Sequence, residues 1–294
     1  MYEEDSGDLS DMMLNYNGIT ALNGVFFCPA DYSECKGKDF TINEHFLEGR
    51  EIATYDDTGE RVVFGWNETK EALLYQTGKI NPDKKWEIYE GFANFPLLLH
   101  GGKNALEHYY DIGLVDKKMR SSKQARHFIC SNQERSHILF GRSDPMDLDT
   151  LITTLVWLNC YDALNLDAGL SSSFIYNGRQ IVWPGRDVLD GITIVRKDLD
   201  VKLLEQKVLQ VSERFREVFF KKKDTQQAKI KLQEYISRVS EARGSIYEKN
   251  SVDIVDTSGN IVGYKIDITS LSTLKKVYIL NSLQWHLQKL LWEL

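Results

Sequence analysis

The sequence predicts an α+β protein: a mixed, largely antiparallel sheet with flanking helices, then a C-terminal helical hairpin, a β-hairpin and a terminal helix. Three observations carry this. Between about residues 19 and 196, short apolar or alternating runs are separated by Gly, Asn and Asp turns, as strands and hairpins are. One helical pattern interrupts them at about 146–160, where Asp147 can cap and Leu148, Leu151, Ile152 and Leu155 form an apolar stripe. Beyond Lys197, Leu204, Val208, Val211, Phe215 and Val218 step by four and three, as do Ala228, Leu232, Tyr235, Val239 and Ala242, which is the spacing of amphipathic helices. A main domain over 1–198 and an appended segment over 199–294 follow from this change.

In chain order, residues 9–16 read as helical turns. Residues 19–27 read as a buried strand interrupted at Asn23 and Gly24, where a glycine marks a bulge or the close approach of a backbone or ligand. Residues 49–77 alternate around Asp57, Thr58 and Gly59 and predict a hairpin, with a short helix over 68–75, where good helix formers gather. Residues 92–103 form a strand ending in a turn at Gly101 and Gly102, and 124–130 with 137–140 a second hairpin. The 146–160 helix leads into the strand 163–166 and a loop from Asp167. A hairpin over 174–183 then turns at Asn177 and Gly178, and 191–196 is a last strand. Two helices joined near 223–225, a hairpin over 252–254 and 262–268, and a helix from about 271 complete the chain.

A net charge of −7 speaks against a nucleic-acid groove, since neutralising phosphates needs concentrated Lys and Arg; the run Lys221–Lys223 is too short to supply them. No stretch approaches the roughly 18 apolar residues of a membrane span, and the acidic N-terminus has no apolar core of a signal peptide. The 6 histidines show no metal-ligand spacing, and no metal or cofactor is expected. Phosphate-loop and dinucleotide signatures are missing, and Gly169-Leu170-Ser171 lacks the second glycine of a nucleophile elbow. Cys130 and Cys160 sit in apolar runs and read as buried thiols. Cys28 and Cys35 bracket a polar loop and read either as a short-range disulfide or as two thiols.

The segment after the 146–160 helix draws most chemical interest. An apolar strand ends at Leu166, Asp167 takes the first loop position, Gly169 frees the backbone, and Ser171 and Ser172 add hydroxyls. A carboxylate at a strand end beside such donors can move a proton or hold a sugar hydroxyl, and the serines and free N–H groups can hold a phosphate oxygen. An Asp- and Ser-rich turn that satisfies its own backbone gives the same pattern.

Residues 165–172 (Asn-Leu-Asp-Ala-Gly-Leu-Ser-Ser), followed by an apolar strand and Asn177-Gly178, resemble the N-L-D-G-G-G-S-S/T hallmark of the phosphodiester glycosidase family. That family includes the uncovering enzyme, which removes N-acetylglucosamine from its phosphodiester with mannose 6-phosphate on lysosomal glycoproteins. Residues 21–27 are similar to its A-I/L-N-G-G/T-F-F segment, and 95–103 to its G-P-x-L-I/V-x-x-G-K strand and turn. Residues 125–129 stand in the place of its R-T-A-I/V-G block, and 186–190 resemble its R-x-V-x-N-A ending. Ala168 and Leu170 replace two glycines of the hallmark, and His127, Cys130 and Asp190 replace a threonine, a glycine and an asparagine.

The resemblance implies hydrolysis of a sugar phosphodiester or related glycan substrate, outside the cytoplasm. Arg126 would grip phosphate with its guanidinium fork and Asp167 would supply the carboxylate. Asn23, beside the Gly24 bend, would bind a sugar hydroxyl or phosphate. Asn165, Gly169, Ser171, Ser172, His127 and His100 would line the pocket. Glycosidases usually use two carboxylates, and Glu87, Glu90 and Asp190 are the candidates for the second. Two rivals stand beside this reading. One is a noncatalytic carbohydrate- or phosphate-binding module of the same fold; the other is a cell-envelope structural protein that self-associates through 199–294.

Overall fold

The computed structural model describes residues 2–53, 61–69, 71–76, 87–220, 225–255, 261–266 and 270–294. It has the α+β architecture expected, organised as two compact units. Met1–Met12, Ala21–Phe174 and Val182–Ile192 form the first, and Met13–Thr20, Ile175–Ile181 and Thr193–Leu294 the second.

The first elements are β1 (Tyr2–Gly7), α1 (Leu9–Asn15) and β2 (Gly18–Asn23), the last buried throughout. Strands β3 (Phe27–Cys28) and β4 (Phe40–Thr41) pair around a loop closed by the Cys28–Cys35 disulfide. Next come β5 (His45–Leu47), β6 (Arg50–Ala53), β7 (Val62–Trp66), β8 (Ala72–Gln76) and β9 (Glu90–Asn94). These form an antiparallel sheet in the order β6-β5-β9-β7-β8.

Two local expectations are corrected here. The hairpin expected over 49–77 does not join β6 to β7: β6 pairs with β5, and β7 lies between β8 and β9. The turn at 57–59 lies outside the described residues. The helix expected over 68–75 is replaced by β8, whose Ala72–Gln76 oppose Trp66–Val62. Cross-strand pairing outweighs the mild helix preference of Ala and Leu there.

The expected strand over 92–103 is two strands in two sheets, and the chain passes between them at the cis Phe95–Pro96 peptide. β10 (Leu97–His100), β11 (Lys103–Asn104), α2 (Leu106–Asp111), α3 (Lys117–Ser121), β12 (His127–Ser131), β13 (Ile138–Arg142), α4 (Leu148–Trp157) and β14 (Asp162–Leu166) follow. Their strands lie antiparallel in the order β11-β10-β14-β12-β13. β14 is buried at every residue, and its Ala163, Leu164 and Leu166 share a core with Leu97, Leu98, Leu99, Phe128 and Ile129. Leu148, Leu151, Ile152 and Leu155 of α4 complete that core, and Asp147 caps the helix by accepting the Thr150 N–H at 2.8 Å. The strand that delivers Asp167 is therefore one of the most firmly held in the unit.

Cys130 and Cys160, expected as buried thiols, are bonded to each other, because β12 and the exit from α4 bring their Cα atoms within 5.6 Å. Replacing both with alanine reopens a 30-residue separation in the unfolded chain. The C130A/C160A variant is expected to lose about 3 kcal/mol of stability, read from the denaturant midpoint; an unchanged midpoint would contradict this.

Strands β15 (Phe174–Tyr176) and β16 (Arg179–Val182) make the expected hairpin, with Asn177 and Gly178 at φ 47° and 76° in its turn. β17 (Val188–Val195) is antiparallel to β1, with Tyr2 opposite Asp190.

In the second unit, α5 (Val201–Phe220) begins where Asn17 Oδ1 accepts the Val201 N–H at 2.8 Å. α6 (Thr225–Lys249), the paired strands β18 (Ser251–Val255) and β19 (Ile261–Ile266), and α7 (Leu271–Glu293) complete it. The helical stripes meet one another: Phe219, Ala228, Leu232, Leu287 and Leu290 form one cluster, and Phe215 sits edge-on to Tyr235 with centroids 4.9 Å apart. Glu205 accepts from Ser282 Oγ at 2.7 Å, His286 Nε2 at 2.8 Å and Tyr278 OH at 3.1 Å, tying α5 to α7. Among the described residues no helix is long and apolar enough to cross a membrane.

Candidate active site

The site begins where β14 ends. The Asp167 N–H donates to Gly24 O at 2.9 Å, and Asn23 Nδ2 donates to Asp167 O at 3.0 Å. Asn23 Oδ1 accepts the Ser173 N–H at 2.9 Å, so one amide stitches both ends of the 167–173 loop to the end of β2. Asn23, expected to bind a ligand, thus has both ends of its side chain committed to backbone. Gly169 turns the loop at φ 68°, a conformation that disfavours any side chain, and the Ser172 N–H donates back to Gly169 O at 3.2 Å.

Gly24 is required by close approach. A Cβ there would lie 2.1 Å from Asp190 Oδ1, and that carboxylate is held in place from both sides. Asp190 Oδ1 accepts the Val25 N–H at 2.9 Å, and Asp190 Oδ2 lies 2.5 Å from His45 Nε2. The G24A variant is expected to lose about 3 kcal/mol by displacing Asp190, read as a lower melting temperature; an unshifted melt would contradict the packing.

His45 Nδ1 faces the Asn43 carbonyl at 3.1 Å, an acceptor, while Nε2 faces the Asp190 carboxylate. Asn43 is fixed in turn: its Nδ2 donates to Phe26 O, and its Oδ1 accepts from Arg61 Nη1 at 2.8 Å. The result is a buried relay, Asn43–His45–Asp190, set beneath the Gly24 bend.

Asp167 is only partly covered. Burial pushes its carboxyl up to about 7, and the charge of Asp190 adds to the rise. The Ser171 hydroxyl, the Ala168 N–H at 2.7 Å and the Arg186 guanidinium oppose it. A carboxyl tuned to neutrality is suited to exchange a proton during a reaction. Arg186 lies 3.2 Å from Asp31, its guanidinium carbon is 5.0 Å from the Tyr32 ring centroid, and its buried Nε has no hydrogen-bond partner.

His127 is fully buried on β12, with Nε2 2.9 Å from Ser172 Oγ. Burial, aided by the Arg142 charge and opposed by the Asp167 backbone, pushes it down to about 3, so the ring is neutral at physiological pH. Its contact with the loop is the hydrogen bond to Ser172.

Other expected site residues lie elsewhere or are committed. Arg126, expected to grip phosphate, is 2% exposed, and its Nη2 donates to Met119 O at 2.7 Å, Ser122 O at 3.2 Å and Ser122 Oγ at 3.1 Å. Those acceptors end α3, so the guanidinium caps a helix terminus. His100 sits at the opposite end of β14, with Nδ1 3.0 Å from Asp162 Oδ1, roughly 16 Å along the strand from Asp167. It therefore stands away from the Asp167 loop. Asn165 is buried, donating to Leu166 O at 3.0 Å while its own carbonyl accepts from Asn94 Nδ2 at 2.9 Å. Of the three candidates for a second carboxylate, Glu90 accepts from Trp66 Nε1 at 2.7 Å, and Glu87 lines a separate cavity of about 550 Å³ with Tyr89 and Glu71. Asp190 alone acts on Asp167. Sequence reasoning missed Arg186 as a site cation and His45 altogether; His45 stands 145 residues from its partner, beyond any spacing motif. Among the described residues no group of three or more His, Cys, Asp or Glu could hold a metal ion.

The family model for phosphodiester glycosidase matches residues 16–195. Among solved structures, the chain is similar to the catalytic domain of zebrafish N-acetylglucosamine-1-phosphodiester alpha-N-acetylglucosaminidase auto-inhibited by its pro-peptide. Identity there is 15% and TM-score 0.52, over 66% of this chain and 68% of that one. It is also similar to a hypothetical protein from Synechocystis, at 12% identity and TM-score 0.53, over 66% of this chain and 55% of that one. Both likenesses are of fold. No curated protein sequence matches the chain. The family match spans more than half the chain and contains β2, the Asp167 loop and Asp190: the protein belongs to the phosphodiester glycosidase family.

Proposed function

We propose that the chain hydrolyses the glycosidic bond between a sugar and the phosphate of a phosphodiester, with Asp167 as general base and Arg186 as the phosphate ligand. The observation that carries this is Asp167 itself, a half-buried carboxyl raised to about 7 beside a buried Asp190 and a cation. Phosphate is a weakly basic leaving group, so the step needs little protonation of the departing oxygen and more help for water. The bond from the anomeric carbon to the phosphate oxygen breaks with its electron pair going to phosphate. Water supplies the new oxygen on that carbon, and its proton passes to Asp167. The phosphate gains one negative charge in the process, which Arg186 is placed to stabilise. Asp190, held by His45 and Val25, and Asn23, holding the loop, act as positioning residues. The two disulfides agree with an oxidising compartment, and we place the protein outside the cytoplasm.

A panel of methyl sugar-1-phosphate diesters tests this. Release of reducing sugar together with methyl phosphate is expected for at least one sugar. Saturable binding without release across the panel would contradict hydrolysis and favour a noncatalytic module.

A further inference from the structure

Beside the Asp167 loop lies apolar surface that the reaction above does not use. Leu170 is 59% exposed, Trp183 54% and Tyr32 48%. They belong to neighbouring loops. The Gly185 N–H donates to Leu170 O at 2.6 Å, and a Cβ on Gly185 would lie 2.9 Å from Leu170 Cδ2. The leucine side chain thus rests on the backbone that joins Trp183 to Arg186. Tyr32 packs its ring 5.0 Å from the Arg186 guanidinium, within the loop closed by Cys28–Cys35. Leu170 itself stands three residues beyond Asp167. Single exposed apolar side chains are ordinary, but Tyr32 lies over the Arg186 guanidinium, Leu170 rests on Gly185 beside it, and Trp183 stands three residues earlier in the same loop, which gathers them about one cation-bearing loop. Arg186 gives that surface its polarity: an anion at the guanidinium with apolar matter beside it.

We propose that Leu170, Trp183 and Tyr32 form a subsite for an alkyl alcohol esterified to the phosphate, so that the preferred substrate is a sugar phosphodiester with an alkyl chain as its second ester. This rests on the reading of the site given above. A second sugar fits less well, because its hydroxyls would lose water against Leu170, which returns no hydrogen bond. An alkyl chain loses nothing polar there and gains from each methylene removed from water.

The test pairs a binding measurement that needs no turnover with a turnover measurement. Calorimetry with octyl phosphate, methyl phosphate and mannose 1-phosphate reads the subsite directly. Octyl phosphate is expected to bind about tenfold tighter than methyl phosphate. In L170G and W183A, both folded by melting temperature, that ratio is expected to fall to about twofold or less. Equal binding of octyl and methyl phosphate, an unchanged ratio in the variants, or tighter binding of mannose 1-phosphate would each overturn the subsite. Turnover of octyl against methyl sugar-1-phosphate diesters then separates the two ideas. No release from either diester, with the octyl preference in binding retained, ends the hydrolase reading and leaves the subsite standing. Release from both at equal kcat/KM overturns the subsite and leaves the hydrolase.

Discussion

Asp167→Asn is expected to lower turnover of a sugar phosphodiester about a thousandfold and, in the same protein, to raise stability at pH 8. The two effects have one cause. The folded chain holds the Asp167 proton up to about 7, well above the ordinary 3.8, because the carboxyl is desolvated and faces Asp190. Between those values the native state binds more protons than the unfolded state, so wild-type stability falls as pH rises through that window. Asparagine does not titrate. The stability gain of the variant should therefore grow from pH 4 to pH 8, by on the order of 2 kcal/mol, while its activity is lost at every pH. Chemical denaturation at the two pH values, with turnover on the same samples, checks both. Retained activity, or a stability difference independent of pH, would contradict the role given to this carboxyl.

Arg186→Ala and Asp190→Asn should move the pH dependence in opposite directions. A base must be deprotonated to act, so the wild-type rate is expected to fall as pH drops through about 7. The Arg186 charge lowers the Asp167 value and the Asp190 charge raises it. Removing the arginine should shift the acid limb to higher pH and cut kcat/KM about a hundredfold through loss of phosphate binding. Removing the Asp190 charge should shift the limb to lower pH. Parallel shifts, or none, in pH–rate profiles of the two variants would contradict the arrangement.

Much of the fold was legible because its signals are local. The Asn177-Gly178 turn needs positive φ and has it, α4 begins at its Asp147 cap, and the helices after Lys197 follow their apolar spacing. β8 was misread because Ala72, Leu73 and Leu74 suit either state, and only pairing with β7 decides between them. The pairing of Cys130 with Cys160 was hidden for a similar reason, since both look like apolar strand and helix-exit residues until the sheet brings them together. Within the site, the Asp167 loop and several of its partners, Asn23, Ser171 and Asp190, could be read from the sequence, but Arg186 and His45 could not. From the sequence, Arg126 was the arginine expected to hold phosphate, and nothing in the spacing brought Arg186 forward. In the fold, the Arg126 guanidinium is occupied by the carbonyls ending α3, whereas Arg186, paired with Asp31, acts by its charge on Asp167. The clamp of His45 on Asp190 joins two strands far apart in the chain and leaves no local trace.

Hydrolysis in water enriched in oxygen-18 tests the central claim most directly. With a methyl sugar-1-phosphate diester and the wild-type protein, the label is expected in the anomeric hydroxyl of the released sugar, with none in methyl phosphate, and no labelled sugar above background with the D167N variant. Label in the phosphate would show attack at phosphorus, and would contradict a glycosidase built on Asp167.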